Sequence, residues 1–398
     1  MPPVTIKTDR SRIETYQRCH RRRYLEYHFN GMGIVRRKLS LPLLVGQCVH
    51  LGLAQLLHGG DDVLAHAVKY SLMAFDGHVA KLELDIGLTE DQYQVAQEQK
   101  NLIEGLLTCF HLTALPKLLA TYEVLEVEKE EEVILTATDS LVLKLMARTD
   151  AVVRHKEDGD LYILSFKTAS GWDSRKDKAA STDIQGLSEA FAVEQRLGQK
   201  IMGVQMIHLI KGNRRQDKEG KYVQYSPLIR GYRKYTPTGG VEWAHSWEYT
   251  DQSGVKHRLG RGWEPINVAE SYPTGVQGWV ADLSAGLIQP EAGDILTGQV
   301  VMPPPYFRQQ EDMDSWLTSA VEQEVNIHED VQLLQQNGGL LLAAGQLDRY
   351  FPMYRHSCHY PSDCQFLGVC YGSAQAKADP LSTGEYEVRT PNHSQELS

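Results

Sequence analysis

The chain has 398 residues, with 41 Lys and Arg against 51 Asp and Glu, for a formal net charge of −10. That balance excludes a protein that coats nucleic acid with uniform positive charge, but leaves room for a local basic groove. Hydrophobic content of 42% and charged content of 23% fit an ordinary globular chain with a sizeable core.

No apolar run reaches the roughly 18 residues that a membrane span needs, and MPPVTIKTDR at the N-terminus has no leader-like apolar region. A cytoplasmic location without a membrane partner is the expectation. Residues 8–30, TDRSRIETYQRCHRRRYLEYHFN, predict an N-capped start and an aromatic, basic helix. LPLLVGQCVHLGLAQLLH (41–58) predicts an apolar helix carrying Gly46 and His50. Helical periodicity continues over 61–120, giving an N-terminal helical region at 1–120. The texture then changes. Segments 121–135, 140–154 and 160–168 are rich in Val, Leu, Ile, Thr and Tyr between charged or Gly-containing turns, which predicts a three-strand meander.

A helix at about 183–198 and the strand KIMGVQMIHLIKG (200–212) complete an α/β core over 121–212. Residues 213–311 follow as an insertion of loops and short strands. A helical and Cys-bearing segment spans 312–372, and the polar 373–398 predicts a disordered tail.

Of the six cysteines, Cys358, Cys364 and Cys370 are spaced C-x5-C-x5-C, and Cys19 on the N-terminal helix is the natural fourth thiol. Four thiolates suit a [4Fe–4S] cluster or a tetrahedral zinc. The wide gaps and the distant fourth ligand favour the cluster, with three unrelated buried thiols as the plain alternative. Cys48 and Cys109 stand in apolar helical runs and read as core.

On the strand LYILSFK, Ser165 and Lys167 are two apart and project from one face, opposite Tyr162, Leu164 and Phe166. Asp150 closes the apolar run of the preceding strand and falls beside them. A carboxylate next to an acid-x-lysine pair makes a Mg²⁺ (or Mn²⁺) site for phosphodiester hydrolysis, with the lysine steadying developing charge. Here position 165 is a serine. His50 on the upstream helix and Gln185 on the downstream helix are further candidates, though a core histidine and a surface salt bridge explain these pieces one at a time.

Together the pieces resemble the PD-(D/E)XK nuclease superfamily in its RecB-like, AddB-like iron–sulfur branch, which includes phage and CRISPR-associated exonucleases. They are YQRCHRRRYLEY (16–27), GQCVH (46–50), ARTD (147–150), SFKT (165–168), DIQGLSEAF (183–191) and the three late cysteines, in that order. The resemblance implies a restriction-endonuclease-like core: a small mixed sheet flanked by helices, with a C-terminal Fe–S segment. It implies His50 and Asp150 as metal ligands together with position 165, Lys167 as the catalytic lysine and Gln185 as the helix glutamine. It also implies Cys19, Cys358, Cys364 and Cys370 as cluster ligands. DNA is the implied substrate, as single strands or duplex ends, with a helicase or recombination protein as a possible partner.

Two positions depart from the pattern: Glu189 stands where a tyrosine is usual, and Ser165 where an acid is. Glu189, one helical turn after Gln185, is expected to return the missing charge. Asp173 and Asp183 are nearer in sequence, but Asp183 reads as the helix N-cap. The other reading is a catalytically impaired DNA-binding or scaffold protein that keeps the fold. A third, a structural zinc protein, treats the motifs as coincidence. DNA is expected to run along Arg21, Arg22 and Arg23 toward the 165/167 face. Arg18, Arg36, Arg37, Lys38, Lys211, Arg214 and Arg215 are the other clustered cations.

Overall fold

The computed structural model describes residues 2–37, 41–171, 183–211, 300–307, 309–336, 344–359 and 363–391, with separate short stretches between 214 and 266 and positions 393 and 396. The fold is mixed α/β: one sheet with helices on both faces. The sheet contains β1 (Val4–Thr8), β3 (Tyr122–Ala137), β4 (Leu141–His155), β5 (Leu161–Ala169), β6 (Ile201–Ile210) and β7 (Val300–Val301). The short β2 (Ile34–Arg36) lies outside it and pairs with a C-terminal strand, β8 (Tyr386–Val388).

The meander forms as expected because β5 opens on the apolar run LYIL and is buried on both faces through Phe166, with Ser165 as the one polar side chain in that stretch. Alternation sorts its side chains. Tyr162, Leu164 and Phe166 enter one core with the helices α3 (Leu41–His58), α4 (Val63–Ile86), α5 (Glu90–Cys109) and α6 (Leu115–Thr121). Leu161 and Ile163 enter the opposite core with α7 (Ile184–Leu197) and α8 (Gln310–Gln336). Asp183 caps α7 by accepting from the Gln185 N–H, and Gly198 at φ +64° ends it.

Strand β1 was not expected. It is five residues long and pairs in parallel with β4, Val4 opposite Leu141 through Thr8 opposite Leu145. Nothing local to PVTIKT marks a partner about 137 residues away in the chain.

Three other expectations change. The helix over 8–30 is two helices, α1 (Arg10–Arg18) and α2 (His20–Tyr27), broken at Cys19, whose backbone is extended at φ −167°, ψ 117°. The segment 373–398, expected to be disordered, is tied down at its described residues. In it β8 adds to β2, Tyr386 is buried and stacked on Phe366, and Glu396 pairs with Arg12 and Arg389. Backbone pairing and ion pairs supply there what apolar content does not. Finally, Leu41–His58 and the helical run Val95–Thr121 are long and apolar enough to cross a membrane by length and composition. Two runs therefore do reach that length, contrary to the expectation, and much of their apolar surface packs into the core against the sheet.

Candidate active site

Asp150 lies where the sheet splits. Strand β4 has β3 along one edge; along the other it pairs first with β1, as far as Leu145, and then with β5, from Ala151 to Arg154. Residues 146–150 therefore face the gap between β1 and β5 on that edge. Beyond the last β4–β5 pair, Ala151 with Leu164, the Phe166 N–H donates to Asp150 Oδ2 at 2.7 Å and the Ser165 hydroxyl approaches it at 3.5 Å. His50 reaches the same carboxylate from α3, Nδ1 to Oδ1 at 3.2 Å. Gly46, one turn earlier on α3, permits this approach. A Cβ there would stand 3.0 Å from Thr168 Oγ1.

Gln185 organises the other half of the site. Its Oε1 accepts from Lys167 Nζ, and its Nε2 donates to Ser165 Oγ at 3.1 Å and to Glu189 Oε1. A continuous polar chain thus runs His50–Asp150–Ser165–Gln185, and branches to Lys167 and Glu189.

The charges in this chain are mutually adjusted. Burial opposes an imidazolium at His50, but the Asp150 charge and hydrogen bond outweigh it and hold the His50 pKa above its ordinary value. Burial likewise opposes the Asp150 carboxylate, and His50, the Phe166 N–H and Lys167 together keep its pKa low. Burial and the charge of Arg10 lower the pKa of Lys167, against the pull of Glu189 and Asp150. Burial and Asp150 push Glu189 up to about 8.

A sequence model of the PD-(D/E)XK nuclease superfamily matches residues 10–371. The chain belongs to that superfamily. No curated protein matches the sequence.

Nucleases of this superfamily use divalent metals, and the site offers donors for one. Ligand atoms of His50, Asp150 and Glu128 lie within 4.8 Å of one another. An octahedral ion with bonds of about 2.1 Å spans roughly 3 to 4.2 Å between its ligand atoms, so a slight contraction closes the set, and two carboxylates with one imidazole suit Mg²⁺ or Mn²⁺.

Glu128 is the residue that sequence reasoning missed. Counting back from the turn at 138–141 would set it opposite Ala151, and the irregularity between Ile134 and Thr136 moves it one residue, opposite Asp150. Like charges directly opposite on neighbouring strands are unfavourable and flag a cation. Glu189 is not in that donor set. It sits buried beneath Gln185, and at neutral pH it carries a proton. Asp173 lies outside the described residues.

The cysteines of this nuclease-superfamily chain sort into two kinds. Cys48 and Cys109 are fully buried in the helical core. Cys19, released from helical geometry at the α1–α2 break, accepts from the Tyr354 N–H at 3.5 Å. It lies within electrostatic reach of Cys364 and Cys370, which also sense Cys358.

The basic helix does not form a DNA groove. Arg21 and Arg23 are buried: Arg21 donates to the Phe351 carbonyl at 2.8 Å and pairs with Asp348, and Arg23 pairs with Glu324 at 2.7 Å. Arg22 pairs with Glu26 at 2.9 Å. Arg36 and Arg37 pair with Glu385 and Glu387. Lys211 donates to the Pro42 carbonyl. Lys38 and the side chains of Arg214 and Arg215 lie outside the described residues. Among the described residues, Lys167, Arg10 and Arg148 are cations within electrostatic reach of the site.

Proposed function

We propose that this protein is a Mg²⁺- or Mn²⁺-dependent DNA nuclease, acting as an exonuclease on single strands or duplex ends. The observation that carries the reading is the Asp150 carboxylate, shared between His50 and the strand that bears Lys167. His50 and Asp150 hold the cation, which when bound polarises the scissile phosphate and lowers the pKa of water. Lys167, held by Gln185, presents its ammonium to the phosphate oxygens, where negative charge grows during cleavage. The Phe166 N–H and the His50 ring fix the orientation of Asp150, so its carboxylate need not reorganise to meet the ion.

The four thiols Cys19, Cys358, Cys364 and Cys370 hold a [4Fe–4S] cluster that staples the N-terminal helices to the C-terminal segment. The Tyr354 N–H on Cys19 and the Ser357 hydroxyl on the Arg18 carbonyl support that junction. None of the six cysteines is joined in a disulfide, which leaves these four to the cluster. The fitting role is phage or bacterial DNA recombination or repair, beside a helicase or recombination partner.

End-labelled single-stranded and duplex DNA, incubated with anaerobically purified protein and Mg²⁺ or Mn²⁺, tests the proposal. Wild type should shorten the DNA from its ends, while Asp150→Asn and Lys167→Met should lose cleavage by at least about a hundredfold. The same protein should be brown and contain iron; stoichiometric zinc without iron would remove the cluster from the proposal. Ser165 favours a second reading, a DNA-binding scaffold with an impaired site. Inert wild type that gains cleavage in Ser165→Asp would establish it.

A further inference from the structure

We infer that Glu128 is the third protein ligand of the divalent cation, supplying from β3 the carboxylate that position 165 lacks on β5. The inference deepens the nuclease reading and rests on its cation site at His50 and Asp150.

The argument starts from the register of the sheet. Val127 pairs with Ala151 and Lys129 with Thr149, so Glu128 stands opposite Asp150 on one side of β4. Ala151 pairs with Leu164, so Ser165 stands one step on, opposite Asp150 on the other side. Glu128, Asp150 and Ser165 form one row across three strands. Neighbours in such a row stand about 4.5–5.5 Å apart at Cβ, so a carboxylate on either flank of Asp150 can share an ion with it.

Glu128 is also set apart from an ordinary strand residue. Its φ is +49°, in the left-handed region that a bulky residue in a strand rarely occupies. The ladder skips the Glu128–Asp150 pair while holding the pairs on either side.

A second side chain points to a ligand at this place. Glu189 is 3% exposed, and its Oε2 has no hydrogen-bond partner among the described residues. Asp150 and Lys167 are its charged neighbours. An unpartnered carboxyl oxygen buried near Asp150 and Lys167 calls for a polar partner, and water carried by a cation is one, since it can accept from the protonated carboxyl. The competing partner of Glu128 is Arg148, whose Nε is 3.2 Å from Oε2. That guanidinium is 51% exposed, so the pair is weak and yields to an ion.

Mn²⁺ binding to the intact, magnesium-stripped protein, read as loss of the free-ion electron paramagnetic resonance signal, tests this without reference to cleavage. Glu128→Gln should weaken binding by at least about tenfold, because it removes one of two anionic ligands. Ser165→Asp added to Glu128→Gln should restore affinity to within about threefold of wild type, since the charge returns to the other end of the row. Arg148→Gln should bind as well as wild type or more tightly, which separates lost ligation from a disturbed strand. Wild-type affinity in Glu128→Gln, together with lost binding in Asp150→Asn, would overturn the role of Glu128 and leave the cation site standing. So would an Arg148→Gln defect as large as that of Glu128→Gln. Wild-type affinity in Asp150→Asn as well would overturn the cation site itself.

Discussion

Glu189→Gln is expected to stabilise the metal-free protein, by an amount that grows with pH. The Glu189 carboxyl is 3% exposed, and burial together with the Asp150 charge pushes its pKa up to about 8 from an ordinary 4.5. Between those two values the folded protein keeps a proton that the unfolded chain has released. The group's contribution is therefore fully present below about pH 4.5, and stability is lost as pH rises toward 8. At pH 7 the interval above 4.5 corresponds to about 3 kcal/mol, at 1.36 kcal/mol per pH unit. Glutamine cannot ionise in either state and keeps an amide near Gln185, so the cost disappears. Urea unfolding in EDTA, followed by far-ultraviolet circular dichroism at pH 5, 6, 7 and 8, reads the difference. The variant should gain about 3 kcal/mol over wild type at pH 7 and little at pH 5. A difference that is constant across this range, or a loss at pH 7, would refute the assignment of a buried neutral carboxyl at 189.

Two further outcomes follow from the same structure. Because Asp150 holds the His50 pKa above its ordinary value, protons compete with the cation already near neutrality, and Mn²⁺ affinity should fall from pH 8 to pH 6. His50→Asn should bind more weakly but with a flatter pH dependence; a wild-type affinity constant over that range would contradict it. Arg23→Met should destabilise the fold by about 3–5 kcal/mol, because it strands the buried Glu324 carboxylate, and should leave the salt slope of DNA binding unchanged. A slope flattened by about one would return Arg23 to the DNA surface.

Sequence patterning revealed the parts of this molecule whose physics is local. The β3–β6 core was legible because LYIL opens its strand as an apolar run and because Asp183 announces the start of its helix. The order of Gly46, His50, Asp150, Lys167 and Gln185 was legible as chemistry, and the fold brings His50, Asp150, Lys167 and Gln185 into one hydrogen-bonded chain, with Gly46 giving α3 room to deliver His50.

Features set by distant partners were not legible. The helix break at Cys19 comes from contacts with residues 352–357, since the Arg21 N–H donates to the Pro352 carbonyl and the Tyr354 N–H to the Cys19 sulfur. An arginine-rich helix reads as surface until Glu324 and Asp348 arrive from some three hundred residues away. Glu128 was hidden by its surroundings, because in YEVLEVEKEEEV every acid looks like a solvated strand face.

The serine at 165 is best understood through the charge count around Asp150. An acid-x-lysine site places two carboxylates beside one cation and a lysine. In this chain Asp150 is held ionised by His50, the Phe166 N–H and Lys167, while Glu189 is held protonated by burial and by Asp150 itself. Glu189 therefore cannot serve as a second anion at neutral pH without a cation to draw it there. Burial and the Asp150 charge raise the Glu128 pKa too, but its side chain is less buried than that of Glu189 and the charges of Arg148 and His50 act the other way, so its charge costs less to maintain. Asp150 and Glu128 together give two anionic ligands with one imidazole, the charge an acid at 165 would have completed. Since β4 is flanked by both β3 and β5, a carboxylate can leave one neighbour and appear on the other without moving Asp150, His50 or Lys167. On that geometry, Ser165 marks a displaced charge on the sheet, and Ser165→Asp in the wild-type background would add a third anion and tighten Mn²⁺ binding further.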